Sequence, residues 1–282
     1  MIRTKQPNDP RNKLNELLGK EWLQLSRSWW FQKGLGRNHP EASIEAQHPA
    51  PFSFHDVRKL IRLFSKPEMT VLDPFCGVAS TLKAAALCGR HAVGIEISST
   101  WVRLGKRRLE KELPAKIRSG VRLRIIRGDC IERLPRLDAQ SVDLIVTSPP
   151  YWSILNKNPD HKVVSERISR GLATRYSTSP SDLGNVGDYQ EYLRRLRKVF
   201  HRCLRVLKRG RYMIAIVGDF RHQARFYPFH MHAAAEAERA GFLLKGILVL
   251  IQNEKRLFPY GYPFEFVQNI HHQYALVLQR PK

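Results

Sequence analysis

Three carboxylates each follow a short apolar run: Asp73 after TVL, Glu96 after HAVGI and Asp129 after VRLRIIRG. A fourth run, LIVT, empties instead into Ser148-Pro149-Pro150-Tyr151-Trp152. The acids are hydrogen-bond acceptors that suit an amine, a ribose diol and the amino group of a purine. The fourth ending offers different chemistry. Its two prolines remove backbone donors and fix φ, so the corner is stiff and its carbonyls stay free. Large rings at the end of a strand are costly unless something stacks on them. The segment reads as a rigid cup for a flat ring, with the Ser148 hydroxyl and the Pro149 carbonyl as acceptors.

The stretch VLDPFCGVAST turns at Gly77 and opens a helix of small residues at Ser80 and Thr81. Such a turn lets backbone approach a ligand, and the new helix offers free N–H groups. Glu96 follows Asp73 by 23 residues, close to where a dinucleotide fold places the acid that holds ribose hydroxyls. Clustered acids repel phosphates, and no GxxxxGK[ST] is present. S-adenosyl-L-methionine therefore suits the set better than NAD or ATP. Taken singly, Gly77 is an ordinary turn glycine, Glu96 a helix cap and Asp129 a turn residue. Their recurrence at successive strand ends is what points to a site.

Something must bring those ends together. Short apolar runs at 69–73, 91–97, 121–129, 141–147, 211–219, 242–252 and 272–280 read as strands. Helical spacing predicts helices over 53–65, 80–89, 99–113, 188–207 and 229–241, and an aromatic helix over 21–31. The alternation argues for an α/β fold, a mostly parallel sheet with helices on both faces. Ligands bind such sheets beyond the carboxyl ends of the strands, where the acids and the cup lie. Residues 1–47 read as a basic, aromatic extension packing on a catalytic domain of 48–282, with residues 1–18 poorly ordered. Residues 153–187, polar and broken by Gly and Pro, read as a mobile substrate-binding loop.

The chain of 282 residues carries 48 Lys+Arg against 25 Asp+Glu, a formal charge of +23 and a pI near 10.3. That excess is the footprint of a polyanion partner, nucleic acid first. No stretch approaches the roughly 20 apolar residues of a membrane span, and the first residues, MIRTKQPNDP, lack an apolar signal core. A cytoplasmic protein is expected, associated with the nucleoid where that nucleic acid is DNA. The four cysteines lack CxxC spacing and read as reduced thiols. No metal site is expected: His271 and His272 adjoin in a strand and so face opposite ways.

At this point the sequence resembles the amino-group DNA methyltransferases that modify cytosine N4 or adenine N6. The likeness spans roughly residues 48–279 and rests on DPFCGVAST and TSPPYW. The first is similar to the family's DPFxGxGT cofactor loop and the second to its (D/N/S)PP(Y/F/W) catalytic motif. HPAPF, residues 48–52, resembles the segment that packs on the methionine part of the cofactor, bringing in Pro51 and Phe52. The resemblance implies a Rossmann-like methyltransferase fold of seven strands in the order 3-2-1-4-5-7-6. It implies S-adenosyl-L-methionine bound by Asp73, Phe75, Gly77, Ser80, Thr81, Glu96, Ile97, Asp129 and Cys130. Ala79 stands where the family loop has glycine, which crowds the cofactor if its methyl points inward.

The same likeness implies direct methylation of an exocyclic amine. Ser148 and the Pro149 carbonyl would accept from the amine, Pro150 would stiffen the corner, and Tyr151 would stack on a flipped base with Trp152 extending the wall. No proline precedes a cysteine, so the Pro-Cys nucleophile of cytosine C5 methylation is missing. Serine at 148 favours cytosine N4 over adenine N6 within the family; adenine, an RNA base, and a degenerate nucleic-acid-binding protein remain alternatives. No large recognition block is visible. Arg167, Arg170 and Arg175 suit phosphates, and Lys255, Arg256 and Tyr260 mix charge with stacking. A restriction endonuclease partner fits a modification enzyme of this kind.

Overall fold

The structure, a computed structural model, describes residues 9–32, 34, 42–45, 47–49, 53–154, 168–169 and 173–282. Ten strands are present among them: β1 (Trp29–Phe31), β2 (Thr70–Asp73), β3 (His91–Glu96), β4 (Leu123–Arg127), β5 (Val142–Thr147), β6 (Leu207–Val217), β7 (Phe220–His222), β8 (Arg225–Tyr227), β9 (Leu243–Ile251) and β10 (His272–Gln279). Eight form one sheet in the order β1-β9-β10-β6-β5-β2-β3-β4. From β4 to β6 all pairs are parallel, and β10 runs antiparallel to both β6 and β9. Without β1, this is the seven-strand order expected.

The eighth strand was not expected. The sequence over 21–31 predicts one aromatic helix, but the helix is Gly19–Leu25 and Trp29–Phe31 extend as an edge strand parallel to β9. Adjacent tryptophans and a phenylalanine fit a pleated surface better than a helix: Trp30 turns into the core while Trp29 and Phe31 stay exposed. Residues 9–18 are not loose either. Leu17 and Asn15 are buried, and the Asn15 amide donates to the Leu63 carbonyl at 2.6 Å. Ion pairs Glu16–Arg90 (2.8 Å), Glu21–Arg62 (2.7 Å) and Glu45–Arg108 (2.6 Å) tie the N-terminal segment down.

Helices cover both faces. On one side, Phe54–Phe64 starts where Ser53 accepts from His55 N and lays Val57, Leu60, Ile61 and Phe64 on the sheet beside the alanine-rich Ser80–Leu87. On the other, Tyr189–Val206 is capped by Asp188, whose carboxylate accepts from Glu191 N at 2.7 Å. It buries Tyr192, Leu196, Val199, Phe200 and Cys203 with helix Phe229–Arg239. Three-to-four spacing of those residues makes the apolar stripe, and the arginines between them face outward. A β7–β8 hairpin over 220–227 turns at Gln223 and Ala224, both at positive φ, as a two-residue hairpin requires. Among the described residues no helix is long and apolar enough to cross a membrane.

Candidate active site

A cavity opens at the carboxyl ends of β2, β3, β4 and β5. Its walls include Phe75, Gly77, Ser80, Glu96, Ile97, Asp129, Cys130, Ser148, Pro150 and Tyr151. Two of the three acids, Glu96 and Asp129, thus share one space with the proline cup. Glu96 is almost wholly buried, and its two oxygens accept from Gly77 N (3.0 Å) and Ser98 N (2.8 Å). Burial pushes its carboxyl up to about 7, with Asp182 and Asp73 adding to the rise and those two N–H groups opposing it. Asp129 caps the short helix Cys130–Arg133 through Ile131 N at 2.8 Å. It is both a turn residue and part of the wall.

Asp73 and Thr81 are placed otherwise. The sequence reading has both touching the cofactor, yet neither lines the cavity. The Asp73 carboxylate lies beneath the loop and accepts from Thr81 Oγ1 (2.5 Å), Thr147 Oγ1 (2.7 Å) and Phe75 N (3.0 Å). It ties the end of β2 to the end of β5, and so fixes the cofactor-type loop relative to the catalytic-type corner. Full burial raises it to about 6 against those three donors. Ala79 also points away. It is buried at φ +66, and its methyl lies 3.3 Å from where a side chain on Gly105 would begin. It does not crowd the cavity.

The cup is held by side chains from distant elements. Tyr192 Oη donates to the Pro150 carbonyl at 2.7 Å, and Trp152 N donates to the same oxygen at 3.1 Å. Gln273 Nε2 donates to Tyr151 Oη at 2.8 Å, and Gln32 Nε2 donates to Gln273 Oε1 at 3.1 Å. Burial lifts the Tyr151 phenol to about 12, with Ser148 and Gln273 pulling it back through hydrogen bonds. Tyr151 is therefore a neutral ring in a fixed plane, packed edge-on against Phe229. Trp152, read as an extension of the stacking wall, turns the other way at φ +42. It is buried among Tyr189, Phe220, His222 and Tyr227, so it supports the corner from behind.

Sequence reasoning missed much of the outer wall: Trp101, Tyr176, Asp182, Leu183 and Gln273, with His48 from the segment it had noted. Trp101 Nε1 donates to the Tyr176 carbonyl at 2.6 Å and holds residues 173–187 against the cavity. Part of the segment read as a mobile loop is thus a wall. Asp182, buried and raised by that burial, accepts from Ser177 Oγ and Gly184 N. The signal was there in SPSDLGN, a capping aspartate before a turn glycine. Arg175 is exposed. Pro51, Phe52, Arg167 and Arg170 lie outside the described residues. Lys255, Arg256 and Tyr260 gather not in this cavity but in a separate groove with Arg221 and His271.

The described lining holds Glu96, Asp129 and Asp182 and neither lysine nor arginine. That set repels a polyphosphate and favours a cation with hydroxyl and amine donors, with aromatic and apolar walls for a flat base. By charge and by its acceptors the set fits S-adenosyl-L-methionine, a cation with hydroxyl and amine donors. Burial holds the Cys76 and Cys130 thiols far above their ordinary range, so neither is a thiolate nucleophile.

Among known proteins, residues 2–107 and 142–274 match the DNA methylase family of N6/N4 methyltransferases. The type II methyltransferase M.ScaI of Streptomyces caespitosus is 32% identical over 111 residues, 38% of this chain and 35% of that protein. The DNA adenine methyltransferase YhdJ of Escherichia coli is 37% identical over 73 residues, 26% of this chain and 22% of that protein. Both matches thus cover only a minor part of each relative's own length. The crystal structure of TrmN from Thermus thermophilus is 18% identical at a TM-score of 0.50, covering 86% of this chain and 52% of that one. That likeness is one of fold. With the family match spanning the cofactor loop and the Ser-Pro-Pro-Tyr corner, the chain belongs to the N6/N4 DNA methylase family, whose cofactor is S-adenosyl-L-methionine.

Proposed function

We propose that the protein transfers a methyl group to the exocyclic N4 amine of cytosine in DNA. The observation that carries this is the shared cavity, with Ser148 and Tyr151 on one wall and Glu96 and Asp129 on another. The cofactor supplies an electrophilic methyl group when bound. The chain supplies position. The Tyr151 ring, locked by Gln273, stacks on a base rotated out of the helix. The Ser148 hydroxyl and Pro149 carbonyl accept from the amine and draw its lone pair out of conjugation with the ring. The Pro150 carbonyl already serves Tyr192 and Trp152; Pro149 is buried and is not among the cavity-lining residues, so its carbonyl is assigned to the amine on the sequence motif alone. Alignment of amine and methyl then provides most of the rate gain. Pro51, Phe52, Arg167, Arg170 and Arg175 are assigned to cofactor and phosphate contacts on sequence alone.

A second reading is adenine N6, favoured by the similarity to a relative named as an adenine methyltransferase. Serine at position 148 favours cytosine. Incubation with deuterated-methyl cofactor and duplex DNA, single-stranded DNA or total RNA, followed by nucleoside mass spectrometry, decides between them. Labelled N4-methyldeoxycytidine is expected. Labelled N6-methyldeoxyadenosine would overturn the base assignment, and label confined to RNA would overturn the substrate class.

A further inference from the structure

Between β9 and β10 the chain leaves the sheet and carries a row of large apolar side chains into solvent. Tyr262, Phe264 and Phe266 are 80%, 93% and 90% exposed, and Leu257, Phe258 and Tyr260 are exposed beside them. The projection is built. Asn269 closes its neck, accepting from Phe258 N at 3.0 Å and donating to the Phe258 carbonyl at 2.7 Å. Gly261 makes its apex turn at φ +75, its carbonyl accepting from Phe264 N (2.7 Å) and Glu265 N (2.8 Å). A Cβ on Gly261 would lie 2.5 Å from the Glu265 carbonyl, so the turn requires glycine. Rings held in water by a braced turn are costly unless a partner covers them.

Position and charge say which partner. Gln252 N donates to the His271 carbonyl at 2.7 Å at the foot of the loop. Gln273, two residues on, holds the Tyr151 hydroxyl. The projection therefore rises from the same edge of the sheet as the proline cup. The groove at its foot is lined by Arg221, Lys255, Arg256 and His271, in a chain of net charge +23. Such a foot repels a second copy of this chain and attracts phosphates. Apolar rings beyond a basic foot match duplex DNA, whose charged backbone flanks an apolar stack.

We propose that this loop is a duplex-opening wedge, in which Phe264 and Phe266 enter the base stack beside the target nucleotide while Lys255 and Arg256 hold flanking phosphates. A base rotated into the cup leaves a gap, and an inserted ring replaces the stacking lost there. The wedge rests on the DNA-binding part of the reading above, not on methyl transfer itself.

The test relaxes a closed circular plasmid with a type I topoisomerase in the presence of saturating protein, then removes the protein and measures linking number. An inserted ring unwinds DNA, so the wild type leaves a reduced linking number. Phe264→Ser/Phe266→Ser, both exposed and so tolerated by the fold, is expected to bind a short duplex within about threefold of wild type yet leave linking number unchanged. Lys255→Ala/Arg256→Ala is expected to lose duplex affinity by about tenfold. Unwinding by the phenylalanine variant equal to wild type, or none by the wild type, overturns the wedge. So does a variant that changes only the sedimentation of the protein, which would make the tip a protein interface. Unwinding without any methylated nucleoside would leave the wedge standing and refute the reaction, and methylation without unwinding would do the reverse.

Discussion

Glu96 offers the sharpest quantitative test, because its carboxyl sits at about 7 in the free protein. A ribose diol donates to a carboxylate; a protonated carboxyl gives up part of that capacity. At pH 6 about a tenth of Glu96 is ionised, and at pH 8 about nine-tenths. Cofactor binding must therefore expel a proton below pH 7. Affinity should be fully present at pH 8 and fall about tenfold by pH 6, close to 1.4 kcal/mol. Calorimetry at pH 6, 7 and 8, in buffers of different ionisation enthalpy, reads both the dissociation constant and the protons released. The same shift has the opposite sign for folding. An acid raised from its ordinary value holds its proton more tightly when folded, so its contribution is present at low pH and is lost as pH rises through 7. The loss is about 3 kcal/mol by pH 8, and saturating cofactor should raise the melting temperature more at pH 8 than at pH 6. Glu96→Gln should flatten both profiles. An affinity independent of pH, or a Glu96→Gln variant with the wild-type slope, would refute this account of Glu96.

Three further outcomes follow from the same geometry. Ser148→Ala should lower turnover by about one to three orders of magnitude and leave the cofactor dissociation constant unchanged, read by single-turnover kinetics and calorimetry. Asp73→Ala strands the Thr81 and Thr147 hydroxyls and the Phe75 N–H. It should cost about 3 kcal/mol or more in urea unfolding. Trp152→Ala empties a buried aromatic cluster and should cost about 3–5 kcal/mol, whereas a Trp152 that stacked on substrate would show its loss in KM with stability intact.

Much of the sheet is legible in the sequence because each central strand is a short apolar run closed by a polar residue, and each helix repeats its apolar residues at three and four. The edge strand is not. Ser28-Trp29-Trp30-Phe31 has no period of its own, and only its pairing to β9 makes it a strand. In the site, residues at strand ends could be found from sequence, since topology alone delivers them to one edge. What sequence could not give is depth. Asp73 and Glu96 look alike as acids after apolar runs, but one lies beneath the loop with its donors satisfied and the other lines the cavity. The outer wall was hidden for another reason: Trp101 reads as a helix core residue and Tyr176 as part of a polar loop. Only their mutual hydrogen bond makes them a wall.

The glutamine pair behind Tyr151 has a bearing on when the site can exist at all. Gln32 and Gln273 are 241 residues apart, and joining points so distant costs about 5 kcal/mol of chain entropy before any fixed contribution. During synthesis, which runs at about 5–20 residues per second, the ribosome finishes Gln32 well before β9 or β10 has been made. The strand Trp29–Phe31 must wait for its partner, and the Tyr151 ring must wait for its brace. The cup is thus assembled late, and a nascent chain carries the whole Ser-Pro-Pro-Tyr motif without a fixed surface on which to present a base.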